Sequence, residues 1–476
     1  MLLGTVKLRR SLRRERRLNA NSFLSEDQEL LDALEMWPGD KKGVGNIAST
    51  FRGPIFKRNY VNDPNYGLPY VSAADIDRSD YFGSRLISRS QGAVLDQLRL
   101  SADMIIVTCS GMNLGWSMLS RRDLAGVIGS HDLIRVIADD SEDRGYLGAF
   151  LGSRLGWYSV RQSISGGSVK HIEPPDVDRL QIPWPSKSVR KTISDAYLQA
   201  AELRAQSTSL IHQATEQVFR SAGIEDLDEG DWFGNGRELG FTGHVRKRTL
   251  RAWNLSEKAR MVATKINAAG ASQLCSLVKP GTLRKGPGFK RIPVDEGFGV
   301  HLIGQRQLFR FRPRPKHIAR RGVPESAFCL PGTTLIAARG TFGEAETYGR
   351  AQYVSELTSS WLFSNDILRV VPRVENLSGW LYAFLRSRSA FRLIRSVATG
   401  SKQQHLHPEG LAEILVPTID GSEKIKIEEG SQPNTIIKLK GKGLPHQNSR
   451  GRGDQYVRLV VNIPKQLNKH QKNLLE

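Results

Sequence analysis

Ser130-His-Asp-Leu-Ile-Arg-Val136 and Ser364-Asn-Asp-Ile-Leu-Arg-Val370 are one phrase written twice, at an offset of 234 residues. The same offset carries Leu147, Ala149, Phe150, Leu151, Ser153 and Arg154 onto Leu381, Ala383, Phe384, Leu385, Ser387 and Arg388. It still holds for Gly166 and Gly400, His171 and His405, and Pro183 and Pro417. Upstream, Met104-Ile-Ile-Val107 before Gly111 matches Thr333-Thr-Leu-Ile336 before Gly340, now at an offset of 229. A register this long marks a two-copy duplication and excludes a solenoid of short repeats. Each copy predicts β-rich apolar runs broken by Gly, then a short amphipathic helix (Gly145–Ser153; Trp380–Ser387). A Gly/Ser loop and a brief strand ending in Pro complete it.

A different pattern lies between the copies. Val189, Ile193, Tyr197, Ala200, Leu203, Leu210, Ala214 and Val218 recur at steps of three or four with one of seven, which only a helix places on one face. Pro185-Ser186 starts it and Gly223 stops it. At about 1.5 Å per residue it spans roughly 50 Å, and its stripe calls for a second helix to pack on. It reads either as a core helix or as a spacer fixing the distance between the copies. The fold class expected is therefore α/β (α+β). A first domain covers 1–185, including a basic N-terminal arm, and a long helix covers 186–222. A second domain covers 223–418, and a small all-β appendage covers 419–476.

Composition narrows the function. The chain has 476 residues, 39% hydrophobic and 25% charged, which suits globular domains. Lys and Arg number 69 against 48 Asp and Glu, a formal charge of +21, which favours an anionic partner, nucleic acid first. No apolar run reaches the roughly 20 residues of a membrane-spanning helix. The three cysteines, Cys109, Cys275 and Cys329, are too scattered for a disulfide framework or a zinc finger. The expected setting is cytoplasmic. Residues 1–20 hold seven Lys/Arg and one acid, and read as a solvated or DNA-facing arm rather than a transit peptide.

Residues 284–321 hold eleven Lys/Arg and two acids. Arg306, Arg310, Arg312, Arg314, Lys316, Arg320 and Arg321 alternate around Phe309 and Phe311, as on a strand with a basic face toward phosphates and a Phe face inward. Arg246, Lys247 and Arg248 form a second basic stretch that either contacts backbone phosphates or opens the second domain. Asn113 and Ser117 in one copy, and Arg339, Thr341 and Glu344 in the other, follow the central strand where the copies diverge, as two different half-sites would require. Asp132 and Asp366 give one carboxylate per copy with no second acid at matched spacing, which argues for structural hydrogen bonding. His171 and His405 read as structural turn residues.

The duplicated body resembles the specificity subunits of type I restriction–modification systems. The resemblance is carried by two recognition-like domains flanking a long helix, and by the endings Ser165–Pro183 and Thr399–Pro417. The stretch Ala398–Pro417 follows the family pattern closely, and Arg17-Leu-Asn-Ala-Asn-Ser-Phe23 resembles the opening of a family recognition domain. The likeness covers roughly residues 15–418. It implies a non-catalytic subunit that reads a split site in double-stranded DNA. Methyltransferase subunits would dock on the helix, and a restriction/translocase subunit would complete the assembly. No cofactor would bind this chain; S-adenosylmethionine would sit on the methyltransferase. In agreement, the sequence has no P-loop, no HExxH and no Gly-rich methyl-donor motif after a strand. One departure is the lack of a second long helical region after the second domain. Instead Ile419–Asn434, Leu439-Lys-Gly-Lys-Gly-Leu-Pro445 and Arg450-Gly-Arg-Gly-Asp454 resemble the last β-subdomain of a DnaJ-type co-chaperone, without a J-domain or CxxCxGxG repeats. The alternative function is a chaperone-linked interaction adaptor acting through this tail.

Overall fold

The computed structural model describes residues 28–80, 84–111, 113–162, 171–234, 251–418, 427–432, 434–440 and 454–459. The basic arm, the Arg17–Phe23 segment, Gly166 and the stretch 246–248 lie outside the described residues.

The two copies repeat one central sheet, and their second sheets share all but one edge strand. In the first, Ala48–Arg52 (β2), Leu133–Ala138 (β9), Ile105–Thr108 (β6) and Ser117–Leu119 (β7) form an antiparallel sheet in that order. In the second, Arg284–Lys285 (β12), Ile367–Val370 (β19), Thr334–Ala337 (β15) and Ala351–Tyr353 (β17) repeat it. The decisive phrase is thus the turn into β9 and β19. Strands β6 and β15 are buried at all four positions, which is why they read as unbroken apolar runs rather than alternating ones.

A second sheet follows the same rule. Tyr60–Val61 (β3), Arg85–Ser88 (β5), Gly67–Val71 (β4) and Ile128–Gly129 (β8) are ordered β3-β5-β4-β8, with β4 and β8 parallel. Its partner runs Lys316–Ile318 (β14), Val300–Ile303 (β13), Leu362–Phe363 (β18), with β13 and β18 parallel. The Pro-ended strands Gln181–Pro183 (β10) and Leu415–Pro417 (β21) pair with Lys41–Gly43 (β1) and Ala271–Gln273 (β11). The amphipathic helices expected in each copy are Arg144–Gly152 (α1) and Ser378–Leu385 (α3). Tyr146 Oη of α1 donates to Pro183 O at 2.5 Å, and Trp380 Nε1 of α3 donates to Pro417 O at 3.1 Å. Two different side chains at one repeat position hold the same strand end.

The duplicated Arg of the opening phrase is a core residue. Arg135 is fully buried and donates to Leu133 O, Leu98 O and Gly129 O. Arg369 donates to Ser326 O, Ala327 O and Phe328 O. Carbonyl dipoles stand in for a counter-carboxylate in both. Burial pulls Arg135 down to about 10, which leaves it charged at neutral pH.

The helix between the copies is Lys187–Ser221 (α2), 35 residues, entered from Ser186 and followed by Gly223 at φ +69°. It packs on α1 with its first half and on α3 with its second. A Cβ at Gly145 would lie 2.5 Å from Ser194 O, so α1 approaches this closely only because it has glycine there. Farther along, Arg386 donates to Thr215 Oγ1 at 2.9 Å. Duplicate helices thus grip the two ends of one rod.

The stripe read from the sequence divides. Val189, Ile193, Leu203, Leu210 and Ala214 are exposed and Ala200 is half-buried. Tyr197 and Val218 instead pack into the cores of the first and second copies, so those two are corrected from partner-facing to internal positions. In the tail, Ile436–Leu439 and Gln455–Arg458 form an antiparallel pair. Upstream of it, Ile394, Ala398, Leu406, Leu411 and Val416 all belong to the core of the second copy.

Candidate nucleic-acid interface

The expected basic strand at 306–314 is not a strand. Gln307–Phe309 is a 3-10 turn, and extended pairing begins only at Lys316. The segment is a bridge to the first copy. Phe311 N donates to Asp77 O at 2.8 Å and Ser79 N to Phe309 O at 2.9 Å, while one Arg310 guanidinium nitrogen lies 2.7 Å from both Asp77 carboxylate oxygens. Arg312 donates to Gly152 O at 2.9 Å. The Arg314 guanidinium lies 4.2 Å from the Trp116 ring and 5.0 Å from the Trp157 ring, where burial lowers its pKa. Arg310 and Arg312 therefore join the copies, and are corrected from DNA-facing to structural, whereas Arg314 stacks on the two rings and stays exposed. Burial raises the pKa of Asp77 despite Arg310.

Other expected residues divide too. Ser117 is buried with its Oγ unsatisfied, and Asn113 is half-buried with its carbonyl accepting from Trp116 N at 3.0 Å. Ser117 is thereby removed from any surface role. Arg339 pairs with Asp366 at 3.1 Å, and Thr341 is exposed. Glu344 accepts from the largely buried Arg392 at 2.7 Å. Arg320 is tied to Glu325 and Val323 O, leaving Arg306, Arg314, Lys316 and Arg321 as exposed charges of this set.

Asp132 is paired as its duplicate Asp366 is: Arg58 and Ser130 Oγ bond it. Burial opposes its ionisation, yet His131, Arg58 and Ser130 together hold its carboxyl below the ordinary range. His171 lies 2.6 Å from Arg52 and 2.8 Å from Glu173, whereas His405 exchanges backbone bonds with Thr399. Each His also occupies one repeat position opposite the loop after the central strand, Ser110 in one copy and Arg339 in the other. Gly400, at φ +97°, turns the loop before His405.

What remains exposed and cationic gathers on the second sheets. In the first copy Lys57, Arg85 and Arg89, with Arg58 paired to Asp132, neighbour exposed Tyr60 and Tyr66, and the Arg85 guanidinium lies 5.6 Å from the Tyr60 ring. In the second copy Lys290, Arg291, Lys316 and Arg321 neighbour exposed Phe298 and the edge-on pair His301 and His317. Cations interleaved with rings can meet phosphates and stack on bases. The first-copy cluster was overlooked in the sequence, although Lys57-Arg58-Asn59-Tyr60 carries that signature. Among the described residues, no group of metal-ligating side chains is assembled and no helix is long and apolar enough to cross a membrane.

Residues 394–464 match the family model of the DnaJ C terminal domain. The chain is 57% identical over 65 residues to the chaperone protein DnaJ of Clostridium perfringens, covering 14% of this chain and 17% of that protein. It is 59% identical over 63 residues to the Clostridium tetani counterpart, covering 13% and 17%. The chain thus spans about a sixth of the length of these relatives. Among solved structures, it is similar to a type I restriction-modification system S subunit from M. genitalium, at 13% identity over 80% of this chain and 85% of that one, TM-score 0.31. It is similar also to the HsdS subunit from Thermoanaerobacter tengcongensis, at 15% identity over 80% and 85%, TM-score 0.23.

Proposed function

We propose that residues 28–418 form a DNA-reading specificity subunit of a type I restriction–modification assembly, each copy reading one half of a bipartite duplex site. The observation that carries this reading is the duplication itself. Two copies of one central sheet, each with a closely related second sheet that carries different cationic and aromatic side chains, are held at the two ends of a 35-residue rod. A shared scaffold with divergent surfaces is what two unlike half-sites need, and the rod sets the gap between them. Phosphates would supply much of the affinity, through Lys57, Arg58, Arg85 and Arg89 in one copy and Lys290, Arg291, Arg306, Lys316 and Arg321 in the other.

The exposed positions Val189, Ile193, Leu203, Leu210 and Ala214, with half-buried Ala200 beside them, suit a helix of a methyltransferase subunit. That subunit would hold S-adenosylmethionine and carry the chemistry, and a restriction/translocase subunit would join the same cytoplasmic assembly. Selection from a random duplex library by the purified chain with its co-purifying methyltransferase tests this reading. Two short conserved blocks separated by a fixed unspecified gap are expected. A single contiguous block, or no enrichment, overturns it.

A further inference from the structure

A cavity of about 250 Å³ lies where the first copy, the rod and the second copy meet. Four arginines line it, Arg78 from the first copy, Arg204 from the rod, and Arg350 and Arg386 from the second, against one carboxylate, Asp80. That carboxylate is engaged, because Arg386 pairs with it. Arg78 stands 3.7 Å from Asp75, and Arg350 is buried with its guanidinium donating to Glu346 O and Glu344 O. The Arg204 guanidinium lies 5.3 Å from the Phe311 ring. Burial lowers the pKa of both Arg204 and Arg350, and like-charged neighbours add to it, Arg312 and Arg121 for the first, Arg78 and Arg395 for the second. The lining is therefore a concave, partly dry surface with positive charge in excess and a ring, Phe311, on its wall.

We infer that this junction binds a small phosphate-bearing anion of mononucleotide size or less, with Arg204 facing the phosphate, Arg350 adding positive charge to the wall and Phe311 bordering the rest of the ligand. Size sets the class. Cavities for larger organic ligands run from roughly 300 Å³ upward, and a duplex cannot enter one this small. Guanidinium groups suit phosphate because their planar N–H pairs match its oxygens. Since the three walls come from three parts of the chain, a bound anion would draw them together. It would stabilise the angle at which the two copies stand, and a ligand that prefers one arrangement shifts the population toward it. The inference stands apart from the DNA reading, because none of these residues lies on the second sheets.

The test is calorimetric titration of the full chain with sodium pyrophosphate and with AMP at fixed ionic strength. It is repeated with Arg204→Gln, which sits on the rod, and with Thr208→Phe, which fills the cavity without removing charge. One equivalent of pyrophosphate or AMP should bind, and each variant should weaken it by about tenfold or more. A parallel arm titrates a nonspecific duplex, whose affinity should not change in either variant. Absence of saturable binding at millimolar pyrophosphate and AMP overturns the proposal, as does binding by both variants that is as tight as that of the unaltered chain. Loss of duplex affinity in Arg204→Gln with no pyrophosphate or AMP binding assigns the arginines to the DNA backbone and also overturns it.

Discussion

The two copies are alike where their backbones must be held and unlike where their side chains meet the surroundings. Arg135 and Arg369 both bury a guanidinium among carbonyl oxygens, and Tyr146 and Trp380 both tether the strand that ends the copy. The second sheets differ: tyrosines with arginines in one, histidines with Phe298 and lysines in the other. The first copy also receives the 306–314 bridge, whereas the second extends it. Duplication therefore preserves the buried hydrogen bonding and leaves the surface to diverge, because an unsatisfied buried carbonyl costs far more than a changed exposed side chain.

The sharpest way to break this comparison is in the core. Arg135→Met should leave Leu133 O, Leu98 O and Gly129 O without their donor and destabilise the first copy by about 3–5 kcal/mol. Arg369→Met should do the same to the second copy, and denaturant unfolding followed by hydrogen exchange would locate each loss. Damage spread evenly over both copies would show that they are not separate folding units. Next in size is the bridge. Arg310→Leu should leave the buried Asp77 carboxylate unpaired and cost about 2–4 kcal/mol, splitting one calorimetric transition into two.

Smaller effects concern the surfaces. Lys57→Ala and Lys316→Ala should each reduce the slope of log DNA affinity against log salt by about 1, one per copy, in equilibrium titrations from 50 to ~200 mM salt. Leu203→Asp should change the chain's own stability by less than about 0.5 kcal/mol yet abolish recovery of a methyltransferase in affinity purification. The least effect is electrostatic. The folded-state pKa of Asp132 is depressed, so its stabilising contribution is complete above the ordinary carboxylate value of about 3.9 and is lost as pH falls through the folded value. Asp132→Asn should flatten that acid limb of the stability profile.

Much of the fold was legible because the repeat is long: the 234-residue register aligns Ile128 with Leu362, and their parallel partners Tyr70 and Leu302 follow at a slightly shifted offset. The rod was legible from its 3.6-residue periodicity and its Pro-Ser and Gly boundaries. The bridge was not, because alternating Arg and Phe is equally good for an exposed strand and for a docking segment. Its partner Asp77 lies 233 residues away, beyond any local pattern. Which faces of the rod stay open was hidden for the same reason. Tyr197 and Val218 share a stripe with Leu203 and Leu210, but only Tyr197 and Val218 lie where the core of a copy meets the rod.

The Asp77–Arg310 link also bears on synthesis. A ribosome adding roughly 5–20 residues per second needs about 10–50 s to travel from one residue to the other. For that interval the nascent first copy holds a carboxylate whose mate does not yet exist. The seam between the copies thus closes only once the second copy has emerged, and it is where a prematurely released or slowly translated chain would gape.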